Sequence, residues 1–202
     1  MKKIALIAFL LAVCVAAGRA QESRQDVSIS GIGLIEPFKA SQTDVQVHST
    51  YALGALASYR FMLTPSSALE ANYGITYQNT IKYVLPTFPN GVKVNTRTME
   101  MSAAYVRSFA FKKYNPFVEA GPAGFIFDPI RNTGTQTLDA KRQTTVGAMY
   151  GGGVAYEISP SFDIRAEYRG YVTKVPTFSD AIFTTNKWYN IYVPTLGVAY
   201  HF

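Results

Sequence analysis

The residues best placed to do chemistry are charged and alternate in sign. Asp163, Arg165, Glu167 and Arg169 occupy every second position of one segment. In a strand that spacing puts all four side chains on one face. Single charges stand on the polar faces of other alternating segments: Arg60, Glu70, Glu100, Glu119 and Glu157. Mixed signs favour mutual pairing, whereas a conduction path would be lined by one sign. Two histidines remain. His48 and Thr50 share a face and could set a general base beside a hydroxyl nucleophile. Ser49 points the other way, and no carboxylate stands where it would orient the base, so no catalytic residue is expected. His201 reads as a strand-end residue. The one cysteine is Cys14, and no tight cluster of histidines or carboxylates offers a metal site. Gly151-Gly152-Gly153 lies inside a strand pattern with no helix after it. It reads as a bend or close-packing site rather than a phosphate loop, so no cofactor is expected.

The elements that carry these charges are strands, because alternation runs through the chain with a period of two. Tyr51, Leu53, Ala55, Ala57, Tyr59 and Phe61 alternate with Thr50, Ala52, Gly54, Leu56, Ser58 and Arg60. The first set suits lipid, with aromatics at its ends and small aliphatics between, and the second suits a narrow lumen. Leu69, Ala71, Tyr73, Ile75 and Tyr77 face outward in the next segment, opposite Glu70. Met99, Met101, Ala103 and Tyr105 follow, opposite Glu100. The segment from Pro116 to Phe127 is ambiguous, and Val118, Ala120 and Ile126 are placed outward because that turns Glu119 inward. Thr144 to Ile158, Phe162 to Val172 and Trp188 to Phe202 complete the set. The first segment, Val27 to Ile35, is glycine-rich and less distinct.

Short Pro/Ser/Asn turns centre near residues 65, 114 and 160, and long connections fall at 36–47, 79–93, 128–143 and 174–187. Four hairpins give an even strand number, with short turns at one end and long loops at the other, the asymmetry of bacterial outer-membrane barrels. Pro122 and Pro194 fall inside strands. A closed barrel needs its backbone N–H groups paired, so each proline is expected at a bulge or beyond the lipid zone. The long loops mix basic and aromatic residues: Lys82, Tyr83, Phe88 and Lys93 in the second, and Arg131, Lys141 and Arg142 with Asp139 in the third. The fourth, with Val175, Pro176, Phe178, Ile182, Phe183 and Trp188, is apolar enough to fold over the barrel mouth or to contact lipid or a partner.

Lys2, Lys3, the apolar run Ile4 to Ala17 and the small residues of Gly18-Arg19-Ala20 have the form of a secretory signal peptide cut before Gln21. The domains expected are therefore 1–20, the signal peptide, and 21–202, the barrel. Leu11-Ala12-Val13-Cys14 departs from a lipidation box at Val13. Without the leader the net charge falls from +6 to +3, too mild a surplus for a nucleic-acid partner.

The last eight residues, Thr195 to Phe202, place a polar residue, a glycine and two aromatics at fixed offsets. Thr195, Gly197, Tyr200 and Phe202 resemble the C-terminal assembly signal of Gram-negative outer-membrane barrels. The chain as a whole is similar to the OmpA-like and opacity-type eight-stranded families. The most recognisable local pieces are Tyr114-Asn115-Pro116-Phe117-Val118-Glu119-Ala120-Gly121 and Arg165-Ala166-Glu167-Tyr168-Arg169. The fold class implied is all-β: an eight-stranded antiparallel up-and-down transmembrane β-barrel preceded by a cleaved signal peptide. The resemblance also implies an outer-membrane location with both termini periplasmic and long loops extracellular. Its implied partners are outer-membrane lipid and lipopolysaccharide, the barrel assembly machinery and periplasmic chaperones. No peptidoglycan-binding domain is seen after the barrel. Lipid A deacylases, which are also barrels, carry a His-x-Ser pair on one strand face, but here the offset residue is Thr50.

The lumen of an eight-stranded barrel is only wide enough for side chains to fill. The expectation is a salt-bridged, closed lumen and a structural or surface-interaction role, adhesion-like, with no enzymatic activity. The alternatives are a narrow channel for small or hydrophobic solutes and, more remotely, a lipid A-modifying enzyme.

Overall fold

The computed structural model describes residues 24–36, 46–49, 51–85, 88–130, 141–178 and 187–202. The proposed leader, Thr50 and the middles of the four long connections lie outside the described residues. The described part is all strand and turn: β1 (Gln25–Leu34), β2 (Gln46–Ser49), β3 (Ala52–Thr64), β4 (Ser67–Leu85), β5 (Phe88–Ser108), β6 (Tyr114–Pro129), β7 (Gln143–Ser159), β8 (Phe162–Lys174) and β9 (Trp188–His201). Among these residues no helix is long and apolar enough to cross a membrane.

Eight of the strands form a closed antiparallel ring in chain order. Each pairs with its sequence neighbours, β4 pairs with β5, and β1 pairs with β9. The short β2 pairs only with β4, beyond the end of β3, so β2 and β3 together form one stave of an eight-stave barrel. The alternation read from the sequence sets the faces. Leu53, Val146, Leu196 and Ile29 are exposed on the outer wall, while Leu56, Met149, Ala199 and Ser28 are buried in the lumen. The ambiguous β6 resolves as expected: Val118 faces out, and Phe117, Glu119, Phe125 and Phe127 face in. Outward aromatics gather near the short turns, where Tyr114 packs on Tyr156 and Tyr200 on both Phe162 and Phe202.

Three two-residue turns close the short end, at 65–66, 112–113 and 160–161. Lys112 takes the left-handed conformation there, with φ of 53°. The second long connection is not a loop. β4 and β5 remain paired through Tyr83 and Val92 and up to Leu85 and Phe88, with register shifts after Thr76 and Tyr83. Asn79 and Ile81 are buried in it, and the ladder carries the two strands across most of what the spacing reads as a loop.

The prolines also depart from expectation. Pro122 stays in register with Ala148 of β7, and β5–β6 pairing resumes in the same register on either side of it, at Ser102 with Ala123 and Tyr105 with Ala120. Pro194 likewise pairs in register with Tyr168, while the β1–β9 ladder stops at Ile32 and Thr195 and reappears at Ile35 and Tyr192. Neither sits at a bulge. Each removes a donor toward one neighbour only, leaving a short gap in an otherwise continuous seam.

Beside the first gap, a Cβ on Gly121 would strike the carbonyl oxygen of Ala103 on β5. Gly121 thus lets two backbones approach where the ladder is already thinned. Gly121→Val is expected to destabilise the barrel by about 1–3 kcal/mol through overpacking. The readout is the urea midpoint in lipid vesicles together with the heat-dependent mobility shift in SDS gels. A wild-type midpoint would refute this account of the seam.

Candidate functional site

The lumen is layered. Near the short turns lies an apolar floor of Ala68, Val106, Phe117 and Ala155, with Met62 against it. The half toward the long loops is filled by a larger apolar cluster that includes Leu56, Phe125, Phe127, Tyr171, Ile191 and Phe178. Between them sits the charge layer. Its centre is the Arg169 guanidinium on β8, wholly unexposed. Its Nη2 lies 2.8 Å from Glu70 Oε1 on β4 and 2.7 Å from Glu167 Oε2, and its Nε lies 3.0 Å from Glu119 Oε1 on β6. Glu70 is shared: its Oε2 also takes Arg60, with Nε donating at 2.7 Å. The Arg60 guanidinium in turn lies 4.7 Å from the centre of the Phe117 ring, linking charge layer to floor.

A second pair closes the ring. Arg165 holds Asp26 with both nitrogens, Nη1 to Oδ1 at 3.0 Å and Nη2 to Oδ2 at 2.7 Å. Asp26 stands on β1 and Arg165 on β8, so the pair reaches across β9 at the seam where the barrel closes. His201 lies beside it, with Nε2 2.8 Å from Asp163 Oδ2 and Nδ1 3.8 Å from Asp26 Oδ2. The strand-end histidine of the sequence reading is therefore a contact of the seam.

Local sequence explains why these groups reach each other. Gly151 of β7 lies directly between Glu119 of β6 and Arg169 of β8. A Cβ there would come within 2.8 Å of Glu119 Oε1. Gly153 similarly makes room for the Phe117 ring. The glycine triplet is thus a close-packing site. The tail residues have contacts of the same kind. Thr195 donates to Glu167 Oε2 at 3.2 Å, Gly197 leaves no space for a Cβ against Ser30, and Tyr200 stacks on Phe202.

Of the eight lumen charges expected, Arg60, Glu70, Glu119, Arg165, Glu167 and Arg169 join ion pairs. Two do not. Glu100 is buried against Gly74 with no ion-pair partner among the described residues. It stands four residues beyond Ala104, the residue opposite Glu70, and so lies toward the apolar half. Glu157 faces inward but is only half-buried near a short turn, where water can solvate it. Sequence reading missed Asp26, because it starts the first strand at Val27, two residues after the strand's first residue, Gln25. The alternation Asp26, Ser28, Ser30, Ile32, Leu34 would have included it.

The long-loop end is partly described. Val175, Pro176 and Phe178 are buried, so the base of the fourth connection folds over the mouth. Gln143 Oε1 accepts the backbone N–H groups of Thr177 at 2.6 Å and Phe178 at 2.7 Å. Phe178 is held with φ of 49°, an uncommon conformation for a bulky residue. His48 lies in β2 opposite Lys82, and Thr50 and Arg131 lie outside the described residues. Among the described residues no group of histidines, cysteines and carboxylates converges as a metal site. The outer wall carries an apolar depression of about 480 Å³ bounded by Tyr59, Leu69, Tyr105 and Pro122.

A closed antiparallel ring with an apolar outer wall, aromatic clusters and a polar lumen defines a transmembrane β-barrel. The chain matches the model of the family "Outer membrane protein beta-barrel domain" over residues 5–202, and it belongs to that family. Among solved structures it is similar to the outer membrane protein OprG from Pseudomonas aeruginosa, with a TM-score of 0.65, 10% identity, and 90% of this chain and 97% of that one covered. It is also similar to Neisserial surface protein A, at 0.57, 14%, 89% and 98%. A third is Ail, the attachment invasion locus protein of Yersinia pestis, at 0.50, 13%, 90% and 100%. At such identities the likeness is one of fold. No curated protein matches the chain.

Within the paired layer, the carboxylates Asp26, Glu70, Glu119 and Glu167 outnumber Arg60, Arg165 and Arg169. Removing Arg169 leaves Glu119 and Glu167 without a cation and Glu70 with Arg60 alone. Arg169→Met is expected to cost about 3–5 kcal/mol, because it leaves buried charge unpaired. An unchanged urea unfolding curve in vesicles would contradict this.

Proposed function

We propose that the chain is a small, non-enzymatic outer-membrane barrel with a closed lumen, whose role is structural or a surface interaction of the adhesion type at its long-loop end. The observation that carries this is the Arg169 guanidinium: unexposed, bound to Glu70, Glu119 and Glu167, and enclosed between two apolar layers. A solute crossing the lumen would have to separate those charges, each of which loses several kcal/mol when stripped of partners. In this reading both termini face the periplasm and the long connections face outward. Lipopolysaccharide surrounds the outer end. Thr195, Gly197, Tyr200 and Phe202 form the signal read by periplasmic chaperones and the assembly machinery.

A second reading has one observation in its favour. The half-lumen toward the long loops is apolar and capped by Phe178, which would suit a small hydrophobic solute better than an ion. It still ends on the charge layer.

Planar-bilayer recording separates the two. The closed barrel is expected to give no reproducible single-channel steps. Steps in the wild type that vanish on substitution of Glu167 or Arg169 would sink it. For the tail, Phe202→Ala is expected to lower the amount of folded protein in the outer membrane severalfold. Normal insertion of that variant would remove the tail's proposed role.

A further inference from the structure

On the outer wall at the long-loop end, β8 finishes at Lys174 and β9 begins at Trp188, and the two residues stand directly opposite each other. Lys174 Nζ lies 5.7 Å from the centre of the indole ring. Beside them is a cavity of about 420 Å³ whose lining adds Gln143, Thr144, Val146 and Thr177. Its chemistry is one-sided. Among the described residues no carboxylate lines it or pairs with Lys174. The carbonyl oxygen of Gln143 is already occupied by the amides of Thr177 and Phe178, so what Gln143 can still offer is its NH₂ group. The ammonium, that amide and the Thr144 hydroxyl are donors. A pocket of donors around a cation suits an anion with several oxygens.

Position decides the source of that anion. The pocket is backed by the buried Thr145 and Val175, and on the lipid-facing wall it is lined by Val146 and Trp188, which are 73% and 55% exposed. Tryptophan at this level marks the boundary between acyl chains and headgroups. A lysine there attracts anionic lipid, and as a compact charge it binds phosphate.

We propose that Lys174, Trp188, Gln143 and Thr144 form a binding site for a phosphorylated membrane lipid of the leaflet next to the long loops. The phosphate sits against Lys174 and the amide and hydroxyl donors, and an acyl chain runs down the wall past Val146. The site needs only the barrel in its bilayer. It stands whether or not the lumen conducts.

Trp188 is the chain's single tryptophan, so its fluorescence reports this site alone. The test uses full-length protein folded into vesicles that contain either dibrominated phosphatidylglycerol or dibrominated phosphatidylcholine in a matrix of unbrominated phosphatidylcholine. Bromine quenches only from a chain in contact with the indole. The expected result is that the anionic lipid binds about fivefold more tightly than the zwitterionic one, as for one lysine at the surface. Lys174→Gln abolishes the preference, and Lys174→Arg retains it. If Lys174→Gln fails to show the heat-dependent mobility shift of a folded barrel, the wild type in 1 M salt replaces it. There the screening length is about 3 Å and the preference is expected to weaken severalfold. Equal quenching by the two lipids in the wild type overturns the proposal. So does a preference that survives in Lys174→Gln or in high salt. Loss of the preference on adding millimolar inorganic phosphate would assign the site to the free ion and overturn the lipid.

Discussion

A bilayer offers no water to an unpaired backbone N–H or C=O, so a sheet that crosses it must close on itself. That requirement underlies every other feature of the chain. The decisive seam joins β1 to β9, the segments farthest apart in sequence. It has the least help from chain connectivity, and it also lacks rungs beside Pro194. Side chains reinforce it. Asp26 on β1 is gripped by Arg165 of β8 and approached by His201 of β9, and Gly197 admits the Ser30 side chain. The seam is both a backbone ladder and an electrostatic clasp.

Closure with eight staves also creates the charge layer. The enclosed space is too narrow for bulk water, and its middle is lined by polar positions from every second residue. Charges placed there must satisfy one another, and those that do come from β1, β3, β4, β6 and β8. Arg169 holds the layer together because guanidinium presents several donors in one plane. Gly151 serves it by having no side chain at the position between Glu119 and Arg169. The apolar layers on either side keep the ion pairs dry, which makes each pair hard to break singly.

Much of this was legible in the sequence where a physical boundary imposes alternation. Between lipid and lumen each residue has one favourable face, so the inward and outward sets were readable even in the ambiguous β6, where Glu119 alone settled the choice. Legibility failed where that boundary ends. Past Thr76 the β4–β5 ladder shifts register and runs on through residues that look like a loop. The prolines misled for a related reason. A strand has two neighbours, and a missing donor toward one leaves the other ladder intact. Glu100 was assigned to the paired layer on its face alone, because alternation gives direction but not height along the barrel.

By itself the sequence determined the strand type, the faces, the positions of the short turns and the inventory of buried charges, since those depend only on local spacing and on which solvent each face meets. The tertiary structure decided the partners. That Glu70 bridges Arg60 and Arg169, that Asp26 meets Arg165 across the seam, that Glu100 stands outside the layer and that Lys174 opens beside Trp188 all follow from register and closure. Those are properties of the whole ring, in which each strand's height is set by its two neighbours, and no local window of sequence contains them.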